Sequence, residues 1–215
     1  MKLIVLGGPG AGKGTQVIKL CNYFKIRHVS TGDIFRDNIS KNTELGVLAN
    51  SYISRGSLVP DAITCDMVID RISKDDCNNG YALDGFPRTL EQARIFQEYL
   101  ESNNDKIDII IEIDVNEGII IDRVCGRKTC LECGATYHIE YNRPKKEGIC
   151  DICGIELIQR QDDEVNTIKS RLEAFRRQTR PMIDYYKQTQ KVISVDGNGT
   201  ADEVGNRILS SLGVV

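Results

Sequence analysis

The chain has 215 residues, 40% of them hydrophobic and 27% charged, with a formal net charge of −3 and a pI near 5.5. That is enough chain for one substantial core with small inserted lobes, and the acidic balance argues against broad electrostatic attachment to DNA, RNA or an anionic membrane. No apolar run approaches the ~18 residues of a membrane helix, and the opening MKLIVLGGPG carries too short an apolar stretch for a secretory signal, so a reducing, cytoplasmic setting is expected for the eight cysteines.

Residues 2–6 are a short apolar run ending in glycines, which predicts a buried strand, and Val17, Leu20, Cys21 and Phe24 follow at helical spacing. Between them Gly7-Gly8-Pro9-Gly10-Ala11-Gly12-Lys13 fits GxxxxGK in the strand–loop–helix context the motif requires. Glycines let the backbone wrap phosphate with its N–H groups inward, and the helix behind them presents its positive end. Lys13 adds a mobile charge for the outer phosphates. The hydroxyl that usually follows the lysine is displaced: Gly14 stands there and Thr15 comes next. Magnesium is therefore expected to rely on phosphate oxygens and water, with an acid nearby.

A short strand is expected near residues 27–29. Ser30 and Asp33 then fit a helix capping box, with Arg36 three residues beyond Asp33. Met67, Val68 and Ile72 share a helical face after Pro60-Asp61. A strand over residues 81–84 delivers Asp84 to the carboxyl end of a sheet, where ligands bind in open α/β folds. Asp84 is the candidate acid for the magnesium waters; its other reading is a turn-capping Asp before Gly85. Thr89 and Gln92 fit a second capping box, in which Gln92 ties down a backbone amide. Residues 108–114 predict a further strand, and Arg123 and Arg127 share a helical face if helix persists there.

Residues 126–163 are rich in Cys, Gly and charge and lack a helical period, as an insertion with its own small fold would. Cys130-x2-Cys133 and Cys150-x2-Cys153, sixteen residues apart, have the spacing of a four-thiolate zinc site. Four ligands close the coordination shell, so the metal would be a structural brace that supplies folding energy a small core lacks. A nucleic-acid-binding ribbon and a redox CxxC are the other readings; the acidic balance opposes the first, and two matched pairs in one insertion oppose the second. Val165, Ile168, Leu172 and Phe175 then mark a helix, residues 191–196 a last strand, and Val204, Ile208 and Leu212 a closing helix with Thr200 and Glu203 as a capping box. Strands alternating with helices imply a parallel sheet covered on both faces. Arg176, Arg177 and Arg180 are read as a solvated face, Cys21 as core, and His28 and His138 as structural.

Taken together, GGPGAGKGTQ, STGDIFR, LDGFPRTLEQA, GRKTCLECGATYH and RQDDEVNTIKSRL resemble adenylate kinases, in family order and almost end to end. The bacterial form with a four-ligand zinc lid is the nearest subtype, and GKGT is that family's own phosphate loop. The resemblance implies an α/β P-loop NTPase fold with a five-stranded parallel sheet flanked by helices. It implies a core of residues 1–29, 60–125 and 164–215, an AMP-binding insertion at 30–59 and a lid at 126–163. It implies reversible, magnesium-dependent phosphoryl transfer from ATP to AMP giving two ADP, by a monomer with no nucleic-acid or membrane partner.

Carried over residue by residue, Gly10, Ala11, Gly12, Lys13, Gly14 and Thr15 cradle the ATP phosphates, and Arg127, Thr136, Tyr137 and Gly199 make further ATP contacts. Thr136 and Tyr137 are expected to face the nucleotide. Thr31, Arg36, Ser57, Leu58, Val59, Gly85, Phe86, Pro87, Arg88 and Gln92 form the AMP site, with Arg160 and Arg171; the Gln92 amide would meet the adenine edge. Lys13, Arg88, Arg123, Arg160, Arg171 and Asp84 surround the transferring phosphate. Phe86-Pro87 matches the family's cis peptide. Another nucleoside monophosphate kinase of the same fold, taking UMP or CMP or using GTP, is the nearest rival; Thr31 and Gln92 favour AMP.

Overall fold

The computed structural model describes residues 1–160 and 162–214; Gln161, inside the RQDDEVNTIKSRL motif and the expected lid, lies outside the described residues. In chain order the strands are β1 Lys2–Leu6, β2 Arg27–Ser30, β3 Tyr81–Asp84, β4 Ile109–Asp114, β5 Arg127–Thr129, β6 Thr136–His138 and β7 Val192–Asp196. The helices are α1 Lys13–Phe24, α2 Thr31–Ser40, α3 Glu44–Ile53, α4 Asp61–Ile72, α5 Leu90–Ser102, α6 Glu117–Cys125, α7 Val165–Ala174, α8 Arg180–Thr189 and α9 Ala201–Ser211. Five strands form one parallel sheet in the order β2-β3-β1-β4-β7, and β5 and β6 form a separate antiparallel pair.

Each expected strand of the main sheet is present, displaced by at most a residue at its ends. The sheet is buried on both faces because its strands alternate apolar side chains to both. Ile4 and Leu6 of β1 join Leu83, Phe86, Phe96, Met182 and Ile183 on one side. Leu3 and Val5 join Val17, Leu20, Ile111, Val204 and Ile208 on the other. Helices α4, α5 and α8 cover the first face, α1 and α9 the second. The capping box at Thr200 and Glu203 forms with both reciprocal hydrogen bonds.

Three features differ from the sequence-based expectation. Phe175, expected on one helical face with Val165, Ile168 and Leu172, instead opens a π turn over Phe175–Thr179 that passes into α8. Helix α6 stops at Cys125, so Arg127 sits on strand β5 rather than on a helical face with Arg123. Arg180 is not part of a freely solvated face. Its Nη1 lies 3.1 Å from Oε1 of Glu112, a carboxylate 1% exposed in the middle of β4. Lys187 Nζ and Ser194 Oγ complete that acid's partners at 2.7 and 2.6 Å. A buried acid on a strand leaves no periodicity signal, because it occupies a core position and recruits its cations from a helix 68 residues away.

This network clamps α8 to the sheet. Arg180 and Lys187 are half-exposed, so water screens their side of the pair, and removing both costs about 1–3 kcal/mol for the carboxylate left under-satisfied. Urea unfolding of an Arg180→Met/Lys187→Met variant should show a loss of roughly that size. A loss below about 1 kcal/mol would mean that water replaces both cations at Glu112.

Candidate active site

The loop between β1 and α1 leaves the carboxyl end of a central strand, beside Asp84, which is register-paired with Val5 at the end of β3. Gly10 has a φ of 72°, and a Cβ there would stand 2.5 Å from Val124 Cγ2, so the loop closes only with glycine. Gly12 is the N-cap of helix α1, which has no side-chain cap and no acidic residue in its first turn. Its positive end thus stays available to an anion. Gly14 also has a reason. A Cβ at that position would stand 3.3 Å from Asp84 Oδ2, so a larger residue there would make the carboxylate give by a few tenths of an ångström.

Around this loop the chain gathers cations. Lys13 Nζ donates to the carbonyls of Gly7 and Gly8 at 2.9 and 2.8 Å. Arg88 Nε donates to Gly85 O at 2.7 Å, and Arg123 donates to Gly197 O and Gly199 O, each at 3.1 Å. Arg127 forks onto Asp163, Arg171 pairs with Asp162 at 2.9 Å, Arg36 pairs with Asp33, and Arg160 donates to Thr129 Oγ1. Burial pulls Lys13 down to about 8, against the partial support of Asp84. Burial, then the charge of Arg171, brings Arg88 down to about 10; burial, then Arg36, does the same to Arg160. Arg171 is also lowered, chiefly by burial. Desolvation acts to raise Asp84 and Asp162. For Asp84 the His28 contact and Lys13 outweigh it, and for Asp162 Arg171 and Arg36 do, so both stay below the ordinary carboxylate value. These groups lower one another because they face the same space. Such a set can neutralise several phosphate charges held close together.

A cleft opens beside the loop. Lys13, Thr31, Arg36, Ser57, Leu58, Val59, Gly85, Pro87, Arg88, Gln92 and Arg171 all line it. The structure therefore brings to one cleft Lys13 and ten of the twelve residues expected for the AMP site, Arg160 and Phe86 being the other two. Phe86 is an exception: it is fully buried, packs edge-on against Phe96 at 5.3 Å, and faces the core. The Phe86–Pro87 peptide is cis. The Arg88 peptide is held on both sides, its N–H donating to Gln92 Oε1 at 2.7 Å and its carbonyl accepting from Thr179 Oγ1 at 2.8 Å. Gln92 does tie down a backbone amide, as the capping pattern implied, but that of Arg88 rather than Thr89. Thr179 belongs to the π turn and carried no local sequence signal. Asp162 and Asp163, which hold Arg171 and Arg127, stood inside a quoted motif without an assigned role.

The segment around β5 and β6 reaches the phosphate loop at one point, Thr136 Oγ1 lying 3.4 Å from Thr15 Oγ1. Tyr137 does not share that direction. Successive strand residues face opposite ways, and its ring packs with Cys130, Cys150 and Leu157 while its hydroxyl accepts from the Asp151 N–H. The Tyr137 ring is thus part of the knuckle's own core. Beneath it the four cysteine sulfurs lie within 4.8 Å of one another. Cys130–Cys153, Cys133–Cys150 and Cys133–Cys153 separations are 3.2, 3.5 and 3.7 Å. A disulfide needs about 2.05 Å, whereas thiolates ~2.3 Å from one tetrahedral ion sit about 3.8 Å apart. The two knuckles repeat one backbone pattern: Gly134 N–H to Cys130 O, and Gly154 N–H to Cys150 O. The cluster has the donor set and spacing to hold one metal ion.

A family model described as adenylate kinase matches residues 5–191. The adenylate kinase of Clostridium acetobutylicum is 51% identical over 215 residues, covering 100% of both chains. That of Clostridium perfringens is 49% identical over 213 residues, 99% of each chain, and that of Clostridium kluyveri 48% over 215 residues, 100% of this chain and 99% of the relative.

The lowered Lys13 fixes a measurable sign. Its folded value of about 8 lies below the ordinary 10.5, so the fold disfavours its charge. The penalty is full below pH about 8 and vanishes as pH rises through about 10.5. In nucleotide-free protein, Lys13→Met should therefore raise unfolding free energy at neutral pH by about 1–3 kcal/mol, after the loss of two hydrogen bonds. The gain should fade with alkalinity in pH-stepped chemical denaturation. A variant less stable than wild type at pH 7 would contradict it.

Proposed function

The chain belongs to the adenylate kinase family, which moves the γ-phosphoryl group of ATP to AMP and yields two ADP, and from that membership we propose how its residues divide the reaction. The cluster of desolvated cations around one phosphate loop and one cleft supports the division best. The loop from Gly10 to Thr15, with Ala11, Gly12, Lys13 and Gly14, takes the ATP phosphates. Arg127, Thr136, the backbone at Tyr137 and Gly199 hold the rest of that nucleotide. Thr31, Arg36, residues 57–59 and 85–88, and Gln92 take AMP, with Arg160 and Arg171 between the two.

The attacking group is a phosphate oxygen of AMP. With a second pKa near ~6 it is dianionic at neutral pH, so no general base is required. The new O–P bond forms as the bond from the γ-phosphorus to the β-bridging oxygen breaks, and the charge spreads over the oxygens in transit. Two polyanions must approach in line. Lys13, Arg88, Arg123, Arg160 and Arg171 offset their repulsion and stabilise that spread. Asp84 stays ionised at the carboxyl end of β3 beside Lys13, and is placed to orient the waters of magnesium that arrives with ATP. Bound magnesium neutralises phosphate charge and fixes phosphate geometry.

Residues 126–163 act as a lid, residues 30–59 as the AMP-binding insertion, and the remainder as the core. The reading of Cys130, Cys133, Cys150 and Cys153 as zinc ligands is supported by four sulfur donors within 4.8 Å of one another. Four protein ligands leave no position for substrate, so zinc would serve folding. Reduced cysteines suit a cytoplasmic monomer that needs no partner beyond its nucleotides.

Two outcomes follow. Arg88→Ala should lower the rate of ADP formation from ATP and AMP by about 10²–10³ while the melting temperature holds; near-normal kinetics in folded protein would remove Arg88 from the mechanism. Chelating the lid metal should add a low-temperature transition in calorimetry, reversed by zinc, since the segment's own core is Cys130, Tyr137, Cys150 and Leu157 with Ala135 against it. Unchanged melting in verified metal-free protein would dismiss the brace.

A further inference from the structure

We propose that Asp61 sets the base specificity of the acceptor site by fixing which end of the Gln92 amide is oxygen and which is nitrogen. This rests on the reading above that Gln92 meets the base of the acceptor nucleotide. Gln92 is 1% exposed, and its amide lies between two groups whose hydrogen-bonding sense cannot change. The main-chain N–H of Arg88 can only donate, and it stands 2.7 Å from Oε1. The carboxylate of Asp61, at the first residue of α4, can when ionised only accept, and its Oδ1 stands 2.8 Å from Nε2.

Turning the amide over would set N–H against N–H on one side and oxygen against oxygen on the other. Each is a buried polar group left unpaired, so the orientation is fixed by its surroundings. The locked amide keeps one N–H and one oxygen lone pair for a ligand. An adenine edge offers the complement: an amino donor at position 6 and a nitrogen acceptor at position 1. A 6-oxopurine reverses both, with an acceptor at 6 and an N–H at 1. An unrestrained glutamine would turn over and serve either base. Asp61, which reaches the base only through Gln92, is thus a positioning residue that makes the amide selective.

The experiment compares kcat/KM for AMP and for IMP, with ATP as donor, in full-length wild type, Asp61→Asn, Asp61→Ser and Gln92→Ala. An asparagine at 61 keeps the volume but can accept or donate, and a serine keeps a polar group at the helix start should the first variant fold poorly. The AMP-to-IMP ratio should fall about 10-fold in both Asp61 variants, with kcat for AMP within about threefold of wild type, and should fall further in Gln92→Ala. A merely structural role for Asp61 would lower both nucleotides' values together and leave the ratio alone. If the ratio stays within about twofold of wild type in the Asp61 variants while Gln92→Ala lowers it, the inference fails and the acceptor-site reading stands. If Gln92→Ala keeps the ratio as well, Gln92 does not read the base and both fail.

Discussion

Repulsion among desolvated like charges is the constraint on which the rest of this structure depends. Lys13, Arg88, Arg160 and Arg171 are each lowered first by burial, and other cations of the group lower Arg88, Arg160 and Arg171 further. Left to themselves, such side chains would turn outward to water. The fold holds them by main-chain carbonyls and by carboxylates: half-buried Asp84 beside Lys13, half-buried Asp162 against Arg171 and buried Asp163 against Arg127. On the proposed reading, the arrangement trades stability for a set of cations already gathered where phosphates would bind.

The scaffold explains how these charges meet although they come from distant parts of the chain. A parallel sheet sends its carboxyl ends to one edge. Lys13 follows β1, Asp84 ends β3 and Arg123 follows β4. The π turn after α7 carries Thr179 onto the Arg88 carbonyl. π turns are rare, and they collect at functional sites because one extra residue per turn re-aims a side chain. Here it lets one helical stretch place Arg171 in the cleft and Thr179 against the loop that bears Arg88.

Much of this was legible in the sequence, and the legible parts share a cause. The phosphate loop, the strand ends and the cysteine pairs are local patterns in which spacing alone dictates geometry. The buried strands were found because apolar runs bounded by glycine allow few alternatives. What escaped depends on contacts between distant segments. Glu112 reads as one polar residue in a strand, and only the fold shows the cations of α8 beside it. Thr179 reads as one of many threonines. Tyr137 reads only as a neighbour of Thr136, and the pairing of β6 with β5 is needed to show that its ring packs with Cys130 and Cys150. Gln92 was torn between a capping role and a ligand role. The structure shows its hold on the Arg88 peptide, and the ligand role rests on the proposed acceptor site.

The central claim is that nucleotide phosphates supply the charge compensation the fold withholds from Lys13. Proton linkage tests it most directly. Binding of a non-hydrolysable ATP analogue should be followed by calorimetry at about pH 8.5 in buffers of different ionisation enthalpy. With a value of about 8 before binding and a normal or higher value beside phosphate, the protein should take up roughly 0.7 proton per nucleotide, and Lys13→Met should abolish the uptake. Binding of the analogue to wild type with no proton uptake, or the same uptake in Lys13→Met, would contradict the account.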